Sequence, residues 1–301
     1  MYTGDGLFFI LEVSRMKIGF IGTGVMGKSI VKHFLAAKHQ VSVYNRTKSK
    51  TAELVEQGAV WQDTPAKVAS ASEIIFSMVG YPSDVEEIFY GVEGIFSVDV
   101  TKKILIDLTT STPTLAQRID QTAKEKGAEA LDAPVSGGDL GAKNGTLTIM
   151  VGGDQTTYDK VIPLFEIMGK SYSLQGAAGA GQHTKMANQI MIAGTMTGMT
   201  EMLVYAKAAK LNIPKVLETL GGGAAQNWSM DNYAPRILKE DYTPGFFVKH
   251  FIKDLKIALD EAEKLQLDLP ATKLATELYE RLAAEGFEND GTQALIKLWW
   301  A

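Results

Sequence analysis

Between residues 17 and 46 the chain reads KIGFIG, then TGVMG, then a helical pattern to about Lys38, then VSVYNR. An apolar run closed by glycine, a helix and a second apolar run within about 30 residues make a βαβ unit, and few folds accommodate one. Gly22, Gly24 and Gly27 form GxGxxG. Each glycine then has its own job. Gly22 permits the tight turn, Gly24 lets the backbone approach a pyrophosphate, and Gly27 lets the helix pack on the strand. The first helical turn, with Val25 and Met26, offers free N–H groups and the positive end of the helix dipole to an anion. GxGxxG alone is a weak signal. Between a strand and a helix it predicts a dinucleotide site.

The end of the second strand selects the dinucleotide. A carboxylate there would bond the ribose 2′-hydroxyl of NAD. This chain has Asn45, Arg46 and Thr47, with Lys48 and Lys50 next. A guanidinium suits a 2′-phosphate, so the sequence predicts NADP in preference to NAD. If Arg46 only stacks on the adenine, both cofactors bind.

Further strand-like runs lie at 74–79, 104–108, 128–133 and 146–151, with helical patterns near 48–56, 83–90, 113–126 and 156–168. That alternation predicts an α/β, Rossmann-type, doubly wound N-terminal domain with a mostly parallel sheet. Ligands in such sheets sit at the carboxyl ends of the strands. The candidates there are Val79, Gly80, Tyr81 and Pro82 in one loop, Thr109 and Thr110 in a second, and Ser136, Gly137 and Gly138 in a third. Pro134 and the Gly137–Gly138 pair break regular structure and leave Ser136 on a loop. A serine hydroxyl beside free amides makes a carboxylate cradle. The competing reading is a plain turn between strands.

After "SYSL" at 171–174 the pattern is helical to the end, with stretches at 182–210, 214–220, 226–239, 247–266 and 270–285. The division is 1–15, a leader outside the fold, 16–178, the nucleotide domain, and 179–301, an all-α domain. An edge strand is the alternative for 1–15. The first of these helices is long and largely apolar, so it should be buried. Its methionines, Met186, Met191, Met196, Met199 and Met202, pack either within the chain or against a second subunit. Lys185 stands in its first turns, with Asn188 and Gln189 on the same face. A lone cation there has three readings: a snorkelling side chain, a structural ion pair, or a proton donor whose pKa burial brings toward working pH.

The net charge of −5 gives no argument for nucleic acid or an anionic membrane. With no cysteine, thiolate chemistry and disulfides are excluded. His33, His39, His183 and His250 include no i, i+4 pair, so no metal is expected. A cytoplasmic enzyme acting on a small molecule is the expectation.

Four segments in order, GFIGTGVMG (19–27), DAPVSGG (132–138), GAGQHTKMANQ (179–189) and FFVKHFIKDL (246–255), resemble those of the β-hydroxyacid dehydrogenases. The resemblance covers about 16–300. It implies that Lys185 is the catalytic acid/base and that Ser136, Gly137 and Gly138 bind the substrate carboxylate. It implies that Thr110 touches the cofactor, that Phe246 and Asp254 line the substrate pocket, and that Lys253 contacts cofactor or substrate. Many members carry Asn four residues after the lysine, where this chain has Gln189, preceded by Asn188 as in tartronate semialdehyde reductases. The expected reaction interconverts a small 3-hydroxy acid, 3-hydroxyisobutyrate-like, and its semialdehyde. Tartronate, glyoxylate and succinic semialdehyde reduction are the alternatives, with a homo-oligomer (dimer or tetramer) as the assembly. A decarboxylating 6-phosphogluconate enzyme would carry a larger helical domain, and related imine reductases usually lack the lysine. A noncatalytic cofactor-binding module is the reading from a different class; it would keep GTGVMG without the lysine and the serine segment.

Overall fold

The computed structural model describes residues 15–300, so the leader reading at 1–15 lies outside the described residues except for Arg15. Strand β1 (Lys17–Ile21) leads through the glycine turn into α1 (Val25–Ala36) and β2 (Gln40–Tyr44). Next come α2 (Ala52–Glu56), β3 (Val60–Trp61), α3 (Pro65–Ala71), β4 (Ile74–Ser77) and α4 (Pro82–Tyr90). They are followed by β5 (Ile104–Asp107), α5 (Pro113–Glu125) and β6 (Glu129–Asp132). These strands pair in the order β3-β2-β1-β4-β5-β6, all parallel. The sheet continues through β7 (Val135–Ser136), α6 (Gly138–Asn144), β8 (Leu147–Gly153), α7 (Gln155–Met168) and β9 (Gly169–Gly176). Strand β8 runs antiparallel to β6 and β7 and parallel to β9.

The apolar runs are continuous because both faces of the sheet are covered. Successive residues alternate between two layers. Phe20, Phe76 and Ile106 pack with Phe34 of α1 and Phe165 of α7, while Ile21, Ile75 and Leu105 pack with Val68, Phe89 and Ile119 of α3, α4 and α5. Three elements differ from expectation. Strand β3 has two residues and α3 seven, too short for periodicity to register, although Thr64 caps α3 by accepting from the Lys67 N–H at 3.2 Å. The segment read as a loop around Ser136 is a strand end: Ser136 pairs with Thr148 of β8, and α6 begins two residues later. Its sequence, GDLGAKN, has low helix propensity, and it is held by packing Ala142 into the core beside α1.

The second half holds α8 (Ala180–Ala208), α9 (Ile213–Gly221), α10 (Trp228–Ile237), α11 (Val248–Lys264), α12 (Pro270–Leu282) and a closing 3-10 turn at Thr292–Leu298. Helix α8 has 29 residues, about 43 Å at 1.5 Å per residue. It buries only a stripe, through Gln182, Lys185, Gln189, Ala193, Met196 and Leu203, whereas Met191 is 68% and Tyr205 74% exposed. Burial within the chain is therefore confined to that stripe, and the outer face is exposed. Ala193 packs with Phe251 and Tyr279, and Met196 and Leu203 pack with Tyr233 and Ile237. The start of α8 abuts the sheet at Gly181, where any Cβ would press on main-chain oxygens of Met150 and Asp132. That contact brings Lys185 against the carboxyl ends of the strands. Among the described residues no helix is long and apolar enough to cross a membrane.

Candidate active site

The glycine turn has the geometry a diphosphate needs. Gly22 has φ +99°, and a Cβ on it would collide with the Met78 carbonyl. A Cβ on Gly27 would collide with the Gly22 carbonyl, but one on Gly24 would meet nothing within 4 Å. The open side is thus at Gly24, where α1 begins. No acidic residue lies in the first turn of α1 and no side chain caps it, so the N–H groups of Val25, Met26 and Gly27 are left for an anion. The buried Thr23 hydroxyl beside them has no hydrogen-bond partner among the described residues. These residues fit a dinucleotide.

Asn45 is a brace: its Oδ1 accepts from the Thr23 N–H at 3.1 Å and its Nδ2 donates to the Thr47 carbonyl at 3.0 Å. The Arg46 side chain is 87% exposed and reaches 3.3 Å to Asp84 in the first turn of α4. Reading β2 alone found no carboxylate near Arg46; the fold supplies one from 38 residues away.

Behind the cradle, three polar side chains tie the strand ends together. Asp107 closes β5 and accepts from Ser77 Oγ at 2.8 Å and from the Thr109 N–H at 3.1 Å. Thr109 Oγ1 in turn accepts from the Val79 N–H at 3.0 Å. Burial pushes the Asp107 carboxyl up to about 6 against the pull of those hydrogen bonds. Asp132 closes β6 and caps α8, accepting from the N–H groups of Gly179 (2.7 Å) and Gln182 (2.8 Å). Burial raises its pKa as well. Gln182 accepts from the Ser111 N–H at 2.9 Å and donates to the Thr109 carbonyl at 2.8 Å. Sequence reading missed Asp107, Asp132 and Gln182. The available signal was position: two aspartates at strand ends and a glutamine three residues before the lysine.

Lys185 is buried, and its Nζ donates to the Val135 carbonyl at 2.9 Å, one residue before Ser136. Burial brings its pKa down to about 8, with Asp254 opposing the shift and Lys253 adding to it. The head is out of water, so it does not snorkel, and its hydrogen bond goes to a carbonyl. Gln189 Nε2 donates to Asp254 Oδ2 at 2.7 Å, and Asn188 Nδ2 donates to Gln189 Oε1 at 2.7 Å. Lys253 Nζ donates to the Thr110 carbonyl at 2.6 Å and lies 2.9 Å from Asp254 Oδ1, a charge contact off the axis of a hydrogen bond. His250 shares that face of α11, with its ring centroid 5.4 Å from that of Tyr81 in the loop after Gly80. Burial, then Lys253 and Lys249, hold its pKa down. Phe246 packs on Phe251 (5.6 Å between ring centroids), and a Cβ on Gly138 would touch the carbonyl of the preceding Gly245 at 3.4 Å. The fold thus gathers Lys185, Gln189, Asp254, Lys253 and Thr110 at one place, with Gly138 against the loop that carries Phe246.

Residues 17–198 match the family model described as the NAD binding domain of 6-phosphogluconate dehydrogenase. Residues 179–299 match the NAD-binding model of NADP-dependent 3-hydroxyisobutyrate dehydrogenase. The 2-hydroxy-3-oxopropionate reductase of Escherichia coli is 38% identical over 94% of this chain and 96% of its own. The chain belongs to the β-hydroxyacid dehydrogenase family. As a β-hydroxyacid dehydrogenase it is an NAD(P)-dependent oxidoreductase acting on a hydroxyl group. An uncharacterized oxidoreductase of Bacillus subtilis, YkwC, is 51% identical over 95% of this chain and 99% of its own. The 3-hydroxyisobutyrate dehydrogenase of Mycobacterium tuberculosis, solved with L-serine, superposes with a TM-score of 0.87. It is 25% identical, and the match covers 95% of this chain and all of that one.

Proposed function

We propose that this dehydrogenase interconverts a small 3-hydroxy acid, 3-hydroxyisobutyrate-like, with its semialdehyde, that Lys185 is its acid/base, and that NADP is preferred to NAD. The observation that carries the reading is the buried Lys185 ammonium, 2.9 Å from the Val135 carbonyl and next to the Ser136–Gly138 segment. A bound reduced nicotinamide supplies the hydride; the chain must supply the proton and hold the carbonyl. In reduction, the carbonyl carbon gains the hydride, its π pair moves to oxygen, and Lys185 Nζ gives that oxygen a proton. Solvent then returns a proton to the amine. In oxidation the neutral amine removes the hydroxyl proton. A pKa near 8 lets both forms exist at working pH. Ser136 with the amides of Gly137 and Gly138 receives the carboxylate, and Gln189 and Asn188 hold the reacting oxygen or the lysine. Two ammonium groups, Lys185 and Lys253, against one carboxylate, Asp254, leave a local excess of positive charge for an anionic substrate.

A second reading is tartronate semialdehyde reduction. It is favoured by the Asn188–Gln189 pair, joined at 2.7 Å, and by the identity to the Escherichia coli enzyme. A panel of C2–C5 hydroxy acids and semialdehydes, assayed with both cofactors, decides between them; no turnover of any acid in the panel would end both. For the cofactor, Arg46→Asp should move the NADP/NAD ratio of kcat/KM toward NAD by at least about tenfold. An unchanged ratio would mean that the 2′-phosphate is read elsewhere. A homo-oligomer built on the exposed face of α8 belongs to the same reading.

A further inference from the structure

Gln182 is fully buried and both ends of its amide are taken. Ser111 N–H donates to Oε1 at 2.9 Å, and Nε2 donates to the Thr109 carbonyl at 2.8 Å. The two bonds grip the main chain on either side of Thr110, whose own carbonyl is held by Lys253. On the helix side, Asp132 fixes the Gln182 N–H at 2.8 Å, and Lys185 follows three residues on, on the same face. On the sheet side, Thr109 is fixed by Asp107 and reaches the Val79 N–H. A single amide therefore joins the loop after β5 to the helix that carries the lysine.

An amide suits this joint because it donates and accepts at once without charge. Losing it strands a buried N–H and a buried carbonyl together, which main-chain groups rarely tolerate. An apolar side chain could fill the same space but would not fix the register, and small misplacements of reacting groups are expensive.

We propose that Gln182 is a positioning residue: its amide sets the spacing between the Thr109–Ser111 loop and Lys185, and so couples cofactor binding to the placement of the proton donor. That the loop touches the cofactor and that Lys185 is the donor rest on the readings given above; the cofactor titrations test the first without the second, and hydrogen exchange at Ser111 tests the joint without either. Gln182→Met removes both bonds at similar volume. Gln182→Glu keeps the shape: protonated, it accepts from Ser111 N–H and donates to the Thr109 carbonyl; ionised, it sets a negative charge against that carbonyl. The affinity of each for NADPH and NADH is measured by fluorescence titration at about pH 6 and about pH 8.5. Each is normalised to wild type at the same pH, because Asp107 and Asp132 of the sheet and Lys253 of α11 surround the joint in every variant.

At about pH 8.5 both variants should bind at least about fivefold more weakly. Going from about pH 8.5 to about pH 6, Gln182→Glu should recover affinity relative to wild type, because protonation restores the donor to the Thr109 carbonyl, while Gln182→Met should show no such recovery. A role confined to stability would lower Tm and leave the affinity of the folded protein alone. Affinities within about twofold of wild type for both variants at both pH values would therefore overturn the proposal. Hydrogen exchange at the Ser111 amide of the unaltered chain gives a check that needs no variant: it should be as slow as the core of α8, and exchange at the rate of an open loop would overturn the joint itself. With an acid from the panel, Gln182→Met should also lose at least about tenfold in kcat while keeping the wild-type pH midpoint. An inactive wild type would sink the substrate reading and leave the cofactor result standing.

Discussion

Lys185 carries an ammonium that folding takes out of water, and the cost of that appears in stability as well as in chemistry. Its folded pKa, about 8, lies below the ordinary 10.5, so the unfolded chain holds the proton more tightly. The penalty is full below pH 8 and disappears as pH rises from 8 to 10.5, where stability climbs. At about 1.4 kcal/mol per pKa unit it amounts to about 3.5 kcal/mol at most. Lys185→Met also strands the Val135 carbonyl at every pH, so the burial penalty shows in the pH dependence: the Tm of the variant relative to wild type should be highest near pH 7 and fall toward pH 10, and a difference that does not change with pH would contradict the burial argument. Asp107 has the opposite sign of shift and the same consequence at neutral pH. Its folded pKa, about 6 against 3.8, means that the penalty is absent below pH 3.8 and full above 6. Asp107→Asn keeps an acceptor for Ser77 and the Thr109 N–H. It should raise Tm at pH 7.5 and leave it unchanged near pH 4, as thermal melts at the two pH values would record.

Among the elements, the glycine turn separates structural need from ligand need. Gly27→Ala pushes α1 off the Gly22 carbonyl and should destabilise the chain by about 1–3 kcal/mol. Gly24→Ala adds a methyl to open space, so Tm should hold while cofactor affinity falls at least about tenfold. Equal losses of Tm in the two variants would contradict this division. The same turn was legible in the sequence because a covered parallel strand carries a continuous apolar run, as β1, β4 and β5 each do. Helices α3 and α6 were not, because seven residues do not complete two turns of a pattern. Lys185 stood out as a lone cation in an apolar stretch. Gln182 and Asp132 did not, because their partners lie 71 and 50 residues away in main chain that carries no side-chain signature. The Arg46–Asp84 pair was hidden by separation alone, since Asp84 lies 38 residues on in another element.

For the whole molecule, the exposed face of α8 and the helix beside it point outward. Helix α9 is amphipathic; Ile213 and Leu217 pack partly buried on the core of α8 and α10, yet among the described residues none of α9 is fully buried. Met191 and Tyr205 lie on the outer face of α8, and Trp228 opens α10 half exposed. A second copy covering this face predicts a dimer or larger assembly by light scattering, and Tyr205→Asp should shift it toward monomer. A wild-type monomer at micromolar concentration would contradict that reading.

Turnover, as proposed above, depends on Lys185 exchanging a proton with the reacting oxygen. The most direct test is the pH dependence of kcat/KM in both directions, at saturating cofactor, for wild type and Lys185→Met. Wild-type reduction should fall above about pH 8, because the ammonium is the active form, and oxidation should rise to a plateau above about pH 8. Lys185→Met should bind cofactor normally, lose about 10²–10⁴-fold in turnover and lose that inflection. A variant within about threefold of wild type, or one that keeps the same inflection, would show that the proton comes from elsewhere.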